Sequence, residues 1–177
     1  MDPTYKPTSV FLLLFGKEPH ILAILKSDNQ GYPWRNQVAL PGGHVEQNDS
    51  RRLDTAFREL EEELNITKDQ VELIGSAGHF QTIKDRDIKV FVGLWNEKGP
   101  LIHESKEISQ VLQIPFKELV KTHMEKKFHN HLPGIDELKY CHKDIVIWGV
   151  TAKIIHFFIE LLYPLIDEQG GLKGWNG

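Results

Sequence analysis

The feature that most constrains this sequence is an amphipathic helix, which the apolar spacing predicts from about residue 50 to residue 64. Its apolar side chains recur at intervals of four, three and four residues, so they form one stripe along the helix. The stripe consists of Leu53, Phe57, Leu60 and Leu64. A helix with such a stripe packs against a core, and Asp49 or Ser50 is the expected N-cap.

A different face of the same helix carries three glutamates. Glu59, Glu62 and Glu63 are spaced three and one residues apart, so they lie together, roughly 150° from the apolar stripe. Taken alone, such a face is more often solvated surface. A hard divalent cation would nevertheless explain three carboxylates that repel one another, because it takes oxygen ligands and binds substrate phosphates at the same time. Arg58 can hold the carboxylates by a bidentate pair.

Two glycines precede this helix and follow a short strand-like piece. Gly42 and Gly43 permit a tight turn, in which a backbone carbonyl can approach a metal ion closely. The order of strand, glycine pair, loop and Arg-Glu-x-x-Glu-Glu helix favours a metal site over a solvated surface.

This combination resembles the Nudix box, Gly-x5-Glu-x7-Arg-Glu-U-x-Glu-Glu-x-Gly-U, where U is bulky and aliphatic. The resemblance covers about residues 43–66, and the matching positions are Gly43, Arg58, Glu59, Leu60, Glu62, Glu63 and Ile66. Asp49 stands where the first Glu belongs, and one residue is added between it and Arg58. Asn65 replaces the late Gly. This is a mild change, because Asn tolerates the left-handed conformation that a helix C-terminus favours.

The resemblance implies an α/β protein, a Nudix-type α/β/α sandwich with a mixed central β-sheet. It implies hydrolysis of a phosphoanhydride bond by in-line attack of water at phosphorus, with Mg²⁺ or Mn²⁺ as cofactor. The metal ligands that it implies are the Gly42 carbonyl and the carboxylates of Glu59, Glu62 and Glu63.

The remaining site residues are a catalytic and a substrate-binding set. Arg58 organises the carboxylates, and Glu62 belongs to the catalytic machinery as well as to the metal ligands. Glu107 is the candidate general base, since it precedes a predicted strand where some relatives carry that base; a solvated loop glutamate is an open alternative. Arg35 and His44 are candidate substrate contacts, and simple turn packing is equally open for His44.

Resemblance to the coenzyme A diphosphatase branch narrows the substrate. Residues 37–43 read Gln-Val-Ala-Leu-Pro-Gly-Gly, and residues 147–152 read Ile-Trp-Gly-Val-Thr-Ala, both close to that branch. Its upstream signature is altered, because Tyr32 stands in place of an Arg and Asn36 in place of a Gly. A coenzyme A-like substrate is favoured, and ADP-ribose or a nucleotide sugar is the alternative. A non-catalytic Nudix-fold module that binds a nucleotide or RNA is the reading from another class.

Bulk properties agree with an ordinary globular enzyme. A chain of 177 residues fits one domain over 1–177. The net charge of -4 gives no general attraction to nucleic acid or anionic membrane. Cys141 is the single cysteine, which excludes an intrachain disulfide and favours a buried small side chain in a reducing compartment. We expect a cytoplasmic protein with a small-molecule nucleotide substrate; a homodimer is left open.

The rest of the chain predicts alternating strands and helices. Strands are expected at residues 10–15, 21–25, 37–40, 71–83, 88–95, 108–114 and 144–148. Helices are expected at about 115–120 and 151–162, separated by a polar, His-rich loop over 121–136. The apolar run 145–166 is interrupted by charges, so it reads as a core helix rather than a membrane span.

The histidines and exposed-looking aromatic residues invite further functional readings. No regular ligand spacing joins His123, His129, His131 and His142, so the sequence favours residues without a ligand role. Trp34 and Phe80 could stack on a nucleobase, but core packing is favoured for both.

Overall fold

The first two strands of the chain form the hairpin that the apolar runs predict. In the computed structural model, β1 (Thr8–Phe15) and β2 (His20–Lys26) pair antiparallel. Phe15 lies opposite His20 across the turn. Gly16 takes φ +84° there, a conformation that other residues rarely adopt.

The structure describes residues 7–28, 35–82 and 86–168. Its contacts gather into two units, Met1–Gln113 and Ile114–Gly177. The single domain over residues 1–177 stays a prediction.

A mixed seven-stranded sheet dominates the first unit, as predicted. Its other strands are β3 (Val38–Ala39), β4 (Gly42–His44), β5 (Val71–Gln81), β6 (Asp87–Trp95) and β7 (Ile108–Pro115). The main order is β3-β2-β1-β6-β5, while β4 pairs with β1 and β7 pairs with β2. The sheet is mixed because β1 runs parallel to β6 but antiparallel to β2 and β4.

The predicted amphipathic helix is α1 (Arg52–Leu64), and it buries the predicted stripe. Phe57, Leu60 and Leu64 join the core with side chains of β1 and β2, and Leu53 packs against it partly buried. Phe11 of β1 contacts Phe57 with ring centroids 4.9 Å apart. Each large apolar side chain buried in this way contributes about 1.5–3 kcal/mol, so the stripe fixes the face that α1 turns to the core.

The sequence prediction for α1 is confirmed at the C-terminal end of the helix and wrong at the N-terminal end. Asn65 takes φ 58° at the C-cap, which confirms that it replaces the family's Gly in a left-handed position. The predicted N-cap is wrong: Arg51 occupies that position, and no side chain caps the helix there. Asp49 does not cap α1 because its carboxylate is bound to Arg58 and Thr55 instead.

The second unit contains α2 (Phe116–Glu125), a hairpin of β8 (Tyr140–His142) and β9 (Ile145–Ile147), and α3 (Gly149–Glu168). The predicted loop over 121–136 is wrong at its start, because α2 continues through Glu125 and buries His123. Cys141 is exposed, which corrects the expected burial. Alternate residues of a strand face opposite sides, and in β8 Tyr140 and His142 take the buried side.

The last helix, α3, is longer than predicted and continues through Pro164. By length and composition alone, residues Gly149–Asp167 could cross a membrane, and 44% of that window is buried inside the protein. This is weak evidence for a membrane span, because the core helix of a soluble protein passes the same test. Phe158 of α3 makes an edge-to-face contact with Phe116 of α2.

Candidate active site

Arg58 is the centre of the candidate site and binds three carboxylates at once. Its Nε and Nη2 donate to the two oxygens of Asp49 at 3.1 and 3.0 Å, a bidentate pair. Its Nη1 donates to Glu59 Oε1 at 2.9 Å and to Glu62 Oε2 at 3.0 Å. Nη2 also donates to the backbone carbonyl of His44 at 3.0 Å. One guanidinium therefore fixes the loop before α1 and two of the glutamates on it.

Asp49 stands where the family pattern has Glu, and its carboxylate is held in place by several hydrogen bonds. Its carboxylate is nearly buried, with 6% of the side chain exposed. It accepts hydrogen bonds from Thr55 Oγ1 at 2.8 Å and from the Glu46 N–H at 2.9 Å, besides those from Arg58. Hydrogen bonds from Arg58 hold the pKa of Asp49 well below its usual range, so the group is a permanent anion. It anchors Arg58 rather than offering a free ligand.

The glycine pair is required by two close approaches and not by a tight turn. Gly42 and Gly43 lie in β4, which pairs with β1. A Cβ on Gly42 would lie 2.2 Å from the Ser9 carbonyl oxygen, and the Gly42 φ is +149°. A Cβ on Gly43 would lie 2.3 Å from the carboxyl group of Glu59. Gly43 thus makes room for a carboxylate of the glutamate face.

Glu63 differs from the other two glutamates because both of its oxygens are engaged. Lys26 Nζ donates to Oε1 at 2.8 Å, and the Gly42 N–H donates to Oε2 at 2.9 Å. Only 8% of the Glu63 side chain is exposed. In this arrangement Glu63 ties α1 to the end of β2 and to β4.

Electrostatics at the site favour the arrival of a positive charge. Burial raises the pKa of Glu59, and Glu63 and Glu62 raise it further, while Arg58 opposes them. Burial also raises the pKa of Glu63, against the opposing effects of Lys26 and the Gly42 N–H. Both carboxylates are therefore harder to ionise than a free Glu, which a cation nearby would reverse.

The donor set fits a hard divalent cation. Arg58 occupies only one oxygen of Glu59 and one of Glu62. Within the described residues, the other oxygen of each has no hydrogen bond to protein. Glu62 is exposed to solvent, so a hydrated ion can reach it. Carboxylate oxygens that face solvent and already repel one another suit Mg²⁺ better than a nitrogen- or sulfur-binding metal.

Glu107 lies within electrostatic reach of this cluster. It is exposed, and its charge raises the pKa of Glu63. The Ser27 N–H donates to its backbone carbonyl at 2.9 Å, which fixes its backbone beside the end of β2. The sequence selected Glu107 only by its position before a strand; the pairing of β7 with β2 brings that position to the glutamate face.

The two predicted substrate contacts are placed differently. His44 is exposed in β4, its ring contacts Thr8 Oγ1 at 3.1 Å, and its carbonyl serves Arg58. Arg35 is 59% exposed and lies 3.9 Å from Asp28, and within the described residues it makes no hydrogen bond or ion pair with the glutamates. Lys26, weighed in the sequence only as a replacement charge, reaches the cluster through Glu63. The only sign in the sequence that Lys26 belongs to the site was its position at the end of an apolar strand.

Four further residues were singled out in the sequence, and the structure describes two of them. Phe80 is buried, in line with core packing. Asn36 takes φ 55°, a left-handed backbone conformation, at the position where the coenzyme A branch signature has Gly. Tyr32 and Trp34 lie outside the described residues.

Comparison with known proteins agrees with this geometry. The model of the NUDIX domain family matches residues 5–134. A curated relative, "Uncharacterized Nudix hydrolase NudL" of Yersinia pestis (strain Pestoides F), is 29% identical over 145 residues, which are 81% of this chain and 72% of the relative.

Solved structures show the same fold at low sequence identity. The NUDIX domain of Shewanella oneidensis NrtR, complexed with ADP ribose, superposes with a TM-score of 0.59 at 15% identity, over 92% of this chain and 94% of that one. A C. elegans Ap4A hydrolase binary complex gives a TM-score of 0.54 at 18% identity, over 64% of this chain and 83% of that one.

The chain therefore belongs to the Nudix family, and the fold is the predicted α/β sandwich with a mixed sheet. It is a Nudix hydrolase, an enzyme that acts on nucleoside diphosphate derivatives.

Proposed function

We propose that this enzyme is a metal-dependent diphosphatase whose metal is Mg²⁺ or Mn²⁺. Glu59, Glu62, Glu63 and the Gly42 carbonyl would hold the ion. The observation that carries the proposal is the single guanidinium of Arg58, which orients Glu59 and Glu62 on one face of α1 at 2.9 and 3.0 Å. Nudix hydrolases generally use divalent metal ions.

The residues of this chain divide the work of the reaction. When bound, the metal would withdraw charge from the phosphates and lower the pKa of a water. Arg58, fixed by Asp49, keeps Glu59 and Glu62 aligned. Glu107 is exposed and accepts the proton of the attacking water at a carboxylate oxygen. Glu63 would hold the metal in place of its ion pair with Lys26, and the Lys26 ammonium would then lie beside the substrate phosphates.

A coenzyme A-like substrate is favoured within this class. Asn36, which stands where that branch has Gly, takes φ 55°, a left-handed conformation that Gly also adopts readily. The missing Arg at that signature removes one cation, and Lys26 supplies one at the glutamate cluster. ADP-ribose or a nucleotide sugar is the alternative substrate, since the same cluster would act on any diphosphate linkage.

The proposed substrate and the net charge of the chain also bear on its partners and its location in the cell. The partner is a small-molecule nucleotide, and nucleic acid and membrane are not expected partners of a chain with net charge -4. A cytoplasmic protein is proposed, and a homodimer is left open. His44 and Arg35 stay candidate substrate contacts, His44 as the nearer of the two because its carbonyl contacts Arg58.

The test measures product release from coenzyme A, ADP-ribose, nucleotide sugars and NTPs, with Mg²⁺, with Mn²⁺ and with EDTA. Cleavage of one compound that requires metal and falls about 10²–10⁴-fold in Glu62→Gln is expected. Glu61→Gln, a neighbour on the same helix but outside the Arg58 network, serves as the matched control. If no compound were cleaved and a nucleotide bound tightly, the protein would be a non-catalytic Nudix-fold module and not an enzyme.

A further inference from the structure

A second polar cluster lies in the second unit, where two imidazoles contact one carboxylate oxygen. His123 of α2 approaches Glu160 Oε1 with its Nε2 at 2.8 Å. His129, in the turn after α2, approaches the same oxygen with its Nδ1 at 2.9 Å. These three ligand atoms lie within 4.8 Å of one another. Two nitrogens and one oxygen therefore converge on one point from three separate places in the chain.

Each imidazole is also held at its other nitrogen. The His123 Nδ1 contacts the Tyr140 hydroxyl at 2.9 Å. The His129 Nε2 contacts the side-chain amide of Asn130 at 2.8 Å, and the His129 ring stacks on Tyr163. Histidines that bind metals usually have the outer nitrogen fixed by a polar neighbour in this way, which sets the tautomer and the ring orientation.

The carboxylate is likewise oriented from both sides. The Asn130 N–H donates to Glu160 Oε2 at 2.9 Å and leaves Oε1 to the two rings.

We propose that His123 Nε2, His129 Nδ1 and Glu160 Oε1 form a site for a transition metal ion of the Zn²⁺ type. Two imidazoles and one carboxylate are a known catalytic-type ligand set for zinc, with the fourth position left to water. His123 is fully buried, whereas about 30% of the His129 side chain is exposed, so an ion can enter from the His129 side.

Two of the three separations between ligand atoms need only a small adjustment to accept the ion. Zinc–nitrogen and zinc–oxygen bonds of about 2.0–2.2 Å place tetrahedral ligands roughly 3.3 Å apart. The nitrogens lie 2.8 and 2.9 Å from Glu160 Oε1, so each separation widens by about 0.5 Å. Each ring then carries its proton on the outer nitrogen. The Tyr140 hydroxyl can accept the proton of His123, whereas the Asn130 side chain, whose amide nitrogen faces His129 here, must turn its carbonyl oxygen towards His129. The ion would join α2, the following turn and α3.

This site is independent of the glutamate face in its chemistry. The glutamate face offers oxygen only, which suits Mg²⁺, while nitrogen ligands favour zinc. The experiment therefore titrates Zn²⁺ alone into the purified full chain, stripped with EDTA and then saturated with Mg²⁺, against a chromophoric chelator. One zinc equivalent that resists excess Mg²⁺ is expected.

Variants locate that equivalent. Glu160→Gln and His129→Gln are each expected to weaken zinc binding more than about 10-fold, and Tyr140→Phe by about 10–100-fold. His79→Gln removes a histidine from another carboxylate pair, with Asp87 at 2.8 Å, and is expected to bind zinc as the wild type does. Substituted Co²⁺ should give the visible absorption of a tetrahedral site, lost in His129→Gln.

Two outcomes would overturn the proposal. One is a folded wild type that binds no zinc in excess Mg²⁺, which would leave a proton-bridged His–Glu–His cluster only. The other is zinc binding that His129→Gln and Glu160→Gln leave unchanged. His129 is partly exposed, so its variant tests the site even where Glu160→Gln does not fold. Neither outcome bears on Mg²⁺-dependent hydrolysis.

Discussion

The glutamate face of α1 and the histidine cluster of the second unit are charged clusters with opposite electrostatic problems. In the first, burial and neighbouring carboxylates raise the pKa of Glu59, and Arg58 compensates only in part. In the second, hydrogen bonds overcome the effect of burial and lower the pKa of Glu160. The first cluster carries surplus negative charge, because its four carboxylates outnumber the two cations Arg58 and Lys26. In the second cluster, Glu160 Oε1 is already hydrogen-bonded to both imidazoles, so any metal there must replace those hydrogen bonds.

The two clusters also differ in the atoms that they offer to a metal ion. The glutamate face presents only oxygens, held from one side by a guanidinium. The histidine cluster presents two nitrogens and one oxygen, each held from behind by a neighbour. Surplus charge with partly free oxygens suits a loosely held, hydrated ion, whereas fixed nitrogens suit a tightly held one. Each prediction below separates these two situations.

The largest effect is expected from the removal of the cation that holds the glutamate face. Arg58→Ala leaves Asp49 nearly buried without its bidentate partner, so the free energy of unfolding should fall by about 3 kcal/mol. Urea unfolding measures this difference. Arg51→Ala removes the exposed pair with Asp54 and should leave the midpoint almost unchanged. Equal effects of the two variants would contradict the anchoring role of Asp49.

A smaller effect is expected from filling the space in front of Glu59. The Cβ of Gly43→Ala would lie 2.3 Å from the Glu59 carboxyl group, which must move. Because that group is the end of a flexible side chain, the fold survives, while kcat/KM with Mg²⁺ should fall about 10–100-fold. Gly75→Ala meets no atom within 4 Å and is the matched control. If Gly43→Ala had the kcat/KM of the wild type, the position of the Glu59 carboxylate would not matter for the reaction.

The ion pair of Lys26 should govern how the glutamate face responds to pH. Glu63 has a raised pKa, so it contributes stability below its ordinary pKa, and that contribution is lost as pH rises through the raised value. Lys26→Met removes the opposing charge and should raise the Glu63 pKa further. Unfolding of the metal-free protein between pH 4 and pH 8 would show a loss that extends to higher pH. Lys121→Met, from an exposed pair, should not change the profile.

The histidine cluster should respond to pH in the opposite direction. Burial lowers the pKa of His123, so its contribution to stability is present above its ordinary value of 6.5 and is lost as pH falls. Hydrogen-exchange protection of α3 in the metal-free protein should therefore decrease from pH 7.5 to pH 5.5, by on the order of 1 kcal/mol. Protection of α1 should not decrease over that range. An equal decrease in the hydrogen-exchange protection of α1 and α3 would contradict the prediction that the two clusters respond to pH in opposite directions.

Much of the fold followed from local patterns. The stripe of α1 and the β1–β2 hairpin are where the spacing predicts them, since period and turn chemistry act within a few residues. Asn65 takes the left-handed conformation that its position requires. The exposure of Cys141 was missed because a lone cysteine carries no pattern, and the strand around it was not predicted.

The site was predicted in its composition but not in its connections. Arg58 contacts Glu62 four residues later, which helical spacing alone could foresee. Its contact with the adjacent Glu59 does not follow from that spacing. Asp49 was assigned the wrong task, because its choice between capping α1 and pairing with Arg58 depends on how the loop before α1 folds back. The ligand role of Glu59, Glu62 and Glu63 stays a prediction until metal binding is measured.

The sequence by itself determined which side chains share a helical face, because an α-helix repeats every 3.6 residues whatever surrounds it. It therefore predicted that Glu59, Glu62 and Glu63 lie together, and the resemblance of their motif to the Nudix box implied the family's chemistry. Only the tertiary structure decided that Lys26 binds Glu63 and that His123 meets Glu160. Each of these pairs is separated by 37 residues, and a contact over that distance depends on sheet register and helix packing, which no local pattern encodes.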